Sequence, residues 1–147
     1  MSTGPKARIV AGIFKYAAEL QRLQNCPQGC VPASGVVYRL VHDPFDKYYD
    51  FSPSALWKPE YVDKCAGWGL SLYTTEAAAR KRRESIRKAA RKYPHISKEI
   101  GDCIARATLV PTHGQMTLPN SEKHFTLFEF VGTDLSSAFK IVVRSDQ

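Results

Sequence analysis

Apolar residues return along this chain with two different periods. Ile9, Ile13, Tyr16 or Ala17, and Leu20 recur every three or four positions, with Lys15, Glu19 and Arg22 on other faces, which predicts a helix over Ala7–Gln24. "NCPQGCVPASG" then supplies Pro, Gly and Ser, the composition of a loop. From Val36 the period changes to two. "VVYRLV" is β-branched and aromatic and reads as a strand, with Tyr38 and Leu40 on one face and Val37, Arg39 and Val41 on the other. "LSLYT" sets Ser71 and Tyr73 against Leu70, Leu72 and Thr74. "HFTLFEFVG" sets His124, Thr126, Phe128 and Phe130 against Phe125, Leu127, Glu129 and Val131. "CIARATLVP" and "AFKIVV" complete the expected strands, and the polar "THGQMTLPNSEK" reads as a connection.

Between these strands lie two further segments. "HDPFDKYYDFSPSALWKPEY" is rich in aromatics, contains three prolines and reads as an irregular loop with one short helical turn. Aromatic loops of this length often form lids or pocket walls. Gly67 and Gly69 are expected to permit unusual backbone angles beside Trp68. Thr74 or Thr75 can cap a helix over Glu76–Tyr93, with Glu76 in its first turn, basic residues towards its end and Pro94 closing it. Its apolar stripe is narrow: Ala78, Ala79, Ile86, Ala90 and Tyr93. "HISKEIGD" adds a short turn. No internal repeat or second domain is apparent, so residues 1–147 are taken as one domain, with a helix and loop over 1–35 and an α+β core over 36–147.

Charge matters here through its location. The chain carries +7, but Glu76–Tyr93 alone holds eight basic residues against two acidic ones, leaving thirteen basic and twelve acidic side chains elsewhere. The molecule is a nearly neutral body with one basic helix. Such a run is usually a solvated face, yet it can also attract phosphates. No window has the ~20 apolar residues of a membrane span, and "MSTGPKARIVAGIF" does not read as a signal peptide. The four cysteines lack the paired spacing of a zinc site. They are expected as free thiols in a reducing cytoplasm, with a local Cys26–Cys30 bridge as the alternative in an exported protein.

The familiar nucleotide, metalloprotease and serine-hydrolase motifs are absent. What remains is a set of polar residues on strands: Arg39, then Ser71 and Tyr73, then His124 or Glu129. An arginine between valines either reaches solvent at a sheet edge or points into a cleft where a partner offsets its burial.

The order "VVYRLV", "GLSLYTTEAAA" passing from strand to helix, and then more strands resembles the organisation of ADP-ribosyltransferase-like domains, to which the RES-type NAD-degrading toxins are related. The resemblance covers Val36 to Val143. It implies an α+β domain with an N-terminal helix, a split and mostly antiparallel sheet and a basic surface helix. It further implies an NAD-using transferase or glycohydrolase acting as a bacterial toxin or effector. NAD is then a substrate and no metal is needed. A protein or nucleic-acid acceptor and a cognate antitoxin or immunity protein are the implied partners, and the site of action is the cytoplasm, resident or after delivery. Carried over by residue, Arg39 meets the pyrophosphate, Tyr73 walls the nicotinamide, Ser71 orients the ribose or the carboxylate, and His124 bonds ribose hydroxyls. The acid is Glu129 or Glu84, the latter 11 positions after Tyr73 as in the RES relation. The Ser-Thr-Ser strand of one branch is "SLYTT" here, no Glu-x-Glu occurs, and Arg39 lacks the Arg-Gly-rich surroundings of the RES arginine. Since His124 and Glu129 lie on opposite faces of one strand, only one can face a given cleft.

A reading from a different class uses the basic helix, with Arg80, Arg82, Arg83, Arg87 and Lys88 following a nucleic-acid backbone.

Overall fold

The computed structural model describes residues 12–147. Its centre is one sheet of seven strands in the order β1-β5-β6-β3-β2-β4-β7. These are β1 (Val31–Pro32), β2 (Gly35–Val41), β3 (Leu70–Tyr73), β4 (Cys103–Leu109), β5 (Gly114–Met116), β6 (His124–Glu129) and β7 (Lys140–Val143). Every pairing is antiparallel. Among the described residues four α-helices accompany the sheet: α1 (Ala17–Arg22), α2 (Lys47–Phe51), α3 (Glu76–Lys92) and α4 (Ile96–Glu99). The domain is therefore α+β, as its strand-rich pattern implies.

The period-two residues divide as their alternation requires. On one face Val37, Val41, Leu70, Leu72, Phe125 and Leu127 form the main core, closed over by Leu135, Phe139 and Phe51. The other face carries two separate clusters. Leu40, Tyr73 and Ile104 receive Ala79 and Ile86 of α3. Trp68 and Phe128 pack with Leu20 of α1 and Ala55. A hollow lies beside the first of these clusters, at Leu40, Tyr73 and Ile86.

One feature of the ladder explains that hollow. β2 pairs with β4 over its whole length, from Gly35 to Val41, but meets β3 only at Tyr38 opposite Tyr73. Beyond that pair the two central strands diverge, and the backbone groups they turn towards each other need other partners.

Several expectations are corrected. Of the predicted helix over Ala7–Gln24, residues 7–11 lie outside the described residues, and among the described ones only Ala17–Arg22 is helical. Phe14 instead forms a β-bridge with Phe130, so the chain before α1 extends along β6 and has its hydrogen bonds met there. Two short strands fall where connections were expected: β1 in the first loop and β5 inside the "THGQMTLPNSEK" segment. Gly67 and Gly69 are absent from the positive-φ glycines. What they supply is room, because a Cβ on Gly69 would lie 2.4 Å from Thr126 Cγ2, and one on Gly67 2.4 Å from the Tyr61 carbonyl oxygen. The aromatic loop holds α2 and two 3₁₀ turns. Cys26 is bonded to Cys65, neither free nor joined to Cys30. The loop after α1 packs against the 3₁₀ turn that begins at Cys65, and all three cysteines border the Trp68 cluster. Cys30 and Cys103 are free thiols.

Helix α3 forms as its sequence predicts. Thr75 is the cap, accepting from the Ala78 amide at 3.1 Å, and Pro94 biases Tyr93 away from helical geometry. Its buried residues are Ala79, Ile86 and, unexpectedly, Arg83, while Tyr93 is exposed. Arg83 Nη1 donates to the carbonyls of Asp102 and Arg144, each at 3.2 Å. Arg87 Nη2 donates to the Ser145 carbonyl at 2.6 Å and to Asp102 Oδ2 at 3.3 Å. Arg80 bonds Glu76 and the Gln147 carbonyl. Three arginines thus clamp the C-terminal segment to the helix. Removing Arg83 strands two carbonyls, so Arg83→Ala is expected to lower stability by about 1–3 kcal/mol. Exposed Lys88→Ala should stay within about 0.5 kcal/mol. Urea unfolding of the two variants tests this, and equal effects would contradict the clamp.

Candidate active site

Where β2 and β3 diverge, the side chain of Arg39 replaces the missing ladder. Its Nη1 donates to the Ser71 carbonyl at 2.7 Å and its Nε to the Asp50 carbonyl at 2.5 Å. Arg39 therefore leaves the valine face suggested by simple alternation and joins β2, β3 and α2. Burial draws the guanidinium below its ordinary pKa, against the pull of Asp50, Glu129 and Tyr73. Arginine nevertheless stays charged in a protein.

The hollow beside it is a cavity of about 420 Å³, lined by Arg39, Ser71, Tyr73 and His124. That volume falls in the range of small-molecule sites, roughly 300–1,000 Å³. Its other walls come from the aromatic loop, with Tyr49, Ser52, Ser54 and Trp57, from α3 with Arg82 and Ile86, and from Glu99 and Glu122. The loop thus forms a wall of the hollow. Trp57 packs edge-on against Tyr49, 5.2 Å between centroids, and its buried Nε1 has no hydrogen-bond partner among the described residues.

Pairing of β3 with β6 sets Tyr73 opposite His124 and Ser71 opposite Thr126. His124 Nε2 lies 2.9 Å from Ser71 Oγ, and its ring centroid lies 5.3 Å from that of Tyr73. Burial, reinforced by Arg82 and opposed by Glu122, holds His124 below the ordinary imidazole value, so it is neutral at pH 7. Burial raises the Tyr73 phenol, with Glu122 adding to the shift and Arg82 and Arg39 opposing it. The cavity is therefore lined by two cations, three carboxyl side chains (Asp50, Glu99 and Glu122), a neutral imidazole, a protonated phenol and several hydroxyls.

The two expected acids lie elsewhere. Glu129 is buried on the main-core face of β6, 3.1 Å from Lys15 Nζ, its carboxyl raised by burial against the pull of Lys15. Glu84 is on the exposed side of α3, 3.4 Å from Arg87 Nη1. Neither lines the cavity; Asp50, Glu99 and Glu122 do. Asp50 is occupied, accepting from the His42 and Asp46 amides and facing His42 Nδ1, and Glu99 meets Lys58 at 3.6 Å. Glu122 forms no ion pair among the described residues, and Tyr73 and His124 both feel its charge. Among the described residues no cluster of potential metal ligands occurs.

Of the basic residues proposed for nucleic acid, Arg80, Arg83 and Arg87 are engaged in the C-terminal clamp. Arg82 turns to the cavity, and Lys88 is exposed. The helix therefore does not present them as one free cationic stripe. No helix among the described residues is long and apolar enough to cross a membrane.

Comparison with protein-family models, with curated proteins and with solved structures found no match.

His42 lies outside the cavity lining and reaches it only through Asp50. Its Nδ1 lies 2.7 Å from Asp50 Oδ1 and its Nε2 3.0 Å from the Ser97 carbonyl, so only the doubly protonated ring satisfies both acceptors. Burial disfavours that charge, but the bonds to Asp50 and Ser97 and the charges of Asp50 and Asp46 outweigh it and raise the pKa. A raised folded value stabilises fully below the unfolded pKa of about 6.5 and is lost as pH rises through the folded one. The stability difference between wild type and His42→Gln should be largest near pH ~5.5 and shrink towards pH ~9. Thermal unfolding across that range checks it; a difference that grows with pH contradicts it.

Proposed function

We propose that this chain is an NAD-consuming enzyme of the ADP-ribosyltransferase type, a transferase or glycohydrolase with NAD as substrate, in the manner of a bacterial toxin or effector. The observation that carries this reading is the convergence of Arg39, Ser71, Tyr73 and His124, from three strands, on one cavity at the parting of β2 and β3.

The chemistry follows from these groups. A dinucleotide brings a pyrophosphate, which needs fixed cations; Arg39 and Arg82 supply them from two sides of the cavity. Arg39 is preorganised, because its two backbone acceptors hold the guanidinium before any ligand arrives. The nicotinamide ring needs an aromatic wall, and Tyr73 beside His124 offers one. As nicotinamide departs, positive charge develops on the ribose, where a nearby carboxylate is stabilising. Glu122 fits that role, being the cavity carboxylate without an ion pair among the described residues. Glu84 and Glu129 are too committed elsewhere to take it.

The cysteine bridge bears on where the enzyme works. Disulfides persist in oxidising compartments, so the Cys26–Cys65 bond supports delivery to a target cell over permanent residence in a reducing cytoplasm.

Incubation of the protein with NAD should release nicotinamide. Arg39→Ala should abolish that release and also lower stability by about 1–3 kcal/mol, because it strands the Ser71 and Asp50 carbonyls. Arg39→Lys separates the two effects, since it keeps the charge but loses the planar fork, and should retain more fold than activity. Wild type that neither cleaves NAD nor is protected by it from thermal unfolding would overturn the reading.

A further inference from the structure

The Ser71–His124 pair does more than NAD binding requires. A pyrophosphate cation and a ring wall would serve binding without a hydroxyl held 2.9 Å from an imidazole nitrogen. Both side chains line the cavity, and both stand on strands locked together by the β3–β6 ladder. A hydroxyl bonded to a basic nitrogen at this distance is the arrangement that carries a proton away from a nucleophile. Water is a weak nucleophile unless its proton is taken as it attacks, whereas many macromolecular acceptors bring their own activated group. We propose that Ser71 and His124 form a proton relay that activates water against the nicotinamide–ribose bond, so that the chain hydrolyses NAD to free ADP-ribose and nicotinamide. This inference rests on the reading of the cavity as an NAD site.

The step balances without an oxidant or reductant. The bond between the ribose anomeric carbon and the pyridine nitrogen breaks, its electron pair stays on nitrogen, and neutral nicotinamide leaves. The water oxygen bonds to that carbon. Its proton passes to Ser71 Oγ as the Ser71 proton passes to His124 Nε2, and the imidazolium later releases the proton to solvent. The relay therefore uses the tautomer of His124 protonated at Nδ1.

The surroundings suit this role. Among the described residues, Arg82 from α3, the Tyr73 phenol from β3 and Glu122 just before β6 are the titratable or charged groups around the imidazole. Burial and Arg82 outweigh Glu122 and keep the ring neutral at pH 7, able to accept. Arg39 fixes the other end of Ser71 by bonding its carbonyl.

The test compares wild type with His124→Gln, Ser71→Ala and Ser71→Thr, each first shown to melt cooperatively. Nicotinamide release is followed over about pH 5–9 and NAD binding by tryptophan fluorescence or calorimetry. His124→Gln and Ser71→Ala should lose roughly 100-fold in kcat, far more than the loss of NAD binding that comes from altering a cavity-lining side chain, and Ser71→Thr should restore most of the rate. The wild-type rate should fall on the acid side with a midpoint below about 6.5, and His124→Gln should lack that limb. Wild-type rates and an unchanged acid limb in both disabling variants overturn the relay and leave the NAD reading standing. Loss of NAD binding in step with activity also overturns the relay, since the pair would then only shape the cavity. A wild type that releases no nicotinamide overturns the NAD reading and the relay together.

Discussion

The structure turns on one guanidinium placed where two strands stop pairing. β2 and β3 meet at Tyr38 and Tyr73 and then separate, which in a sheet interior would leave backbone carbonyls without donors. Arg39 meets that need by bonding the Ser71 and Asp50 carbonyls. The consequence is twofold. The sheet remains one continuous body of seven strands, and the gap becomes a cavity with a fixed positive charge at its edge. A planar fork with several donors suits this task; an ammonium on a flexible stem does not. Position 39 thus joins stability to the site.

The rest of the molecule is arranged around that gap. The main core lies on the opposite face and is uninterrupted. On the cavity face the apolar residues form two clusters, one under α3 and one under the loop tied by Cys26–Cys65. The cluster under α3 supplies a wall through Leu40, Tyr73 and Ile86, and α2 is drawn in through Asp50, whose carbonyl meets Arg39 and whose carboxylate meets His42. The basic helix serves mainly as a clamp. Arg83, buried and bonded to two carbonyls, secures the chain end that follows β7.

Much of this frame was legible in the sequence. β2, β3, β4, β6 and β7 carry enough alternating apolar residues to declare both their period and their faces, and α3 has a cap, a seam and a proline stop. The candidate residues Arg39, Ser71, Tyr73 and His124 could be picked because each interrupts an apolar strand with a polar group. Other features had no local signal. β1 and β5 are two and three residues long, contain Pro or Gly, and exist only because partners are already in place. Arg83 looks like its solvated neighbours until the C-terminal segment covers it. The partner of Cys26 is 39 residues away, a separation that no spacing rule reaches. Glu84 and Glu129 were reasonable acids by position, but helix phase turns one to solvent and strand phase turns the other into the core beside Lys15. Glu122 sits in a polar turn whose sequence does not distinguish it from a surface loop.

The most direct test of the central claim is a crystal structure of the protein with an NAD analogue that resists cleavage. The dinucleotide should lie where β2 and β3 part, its pyrophosphate against Arg39 and its nicotinamide end beside Tyr73 and His124. A ladder between β2 and β3 that continues past Tyr38 and Tyr73, with side chains filling the cavity and the analogue elsewhere or absent, would contradict it.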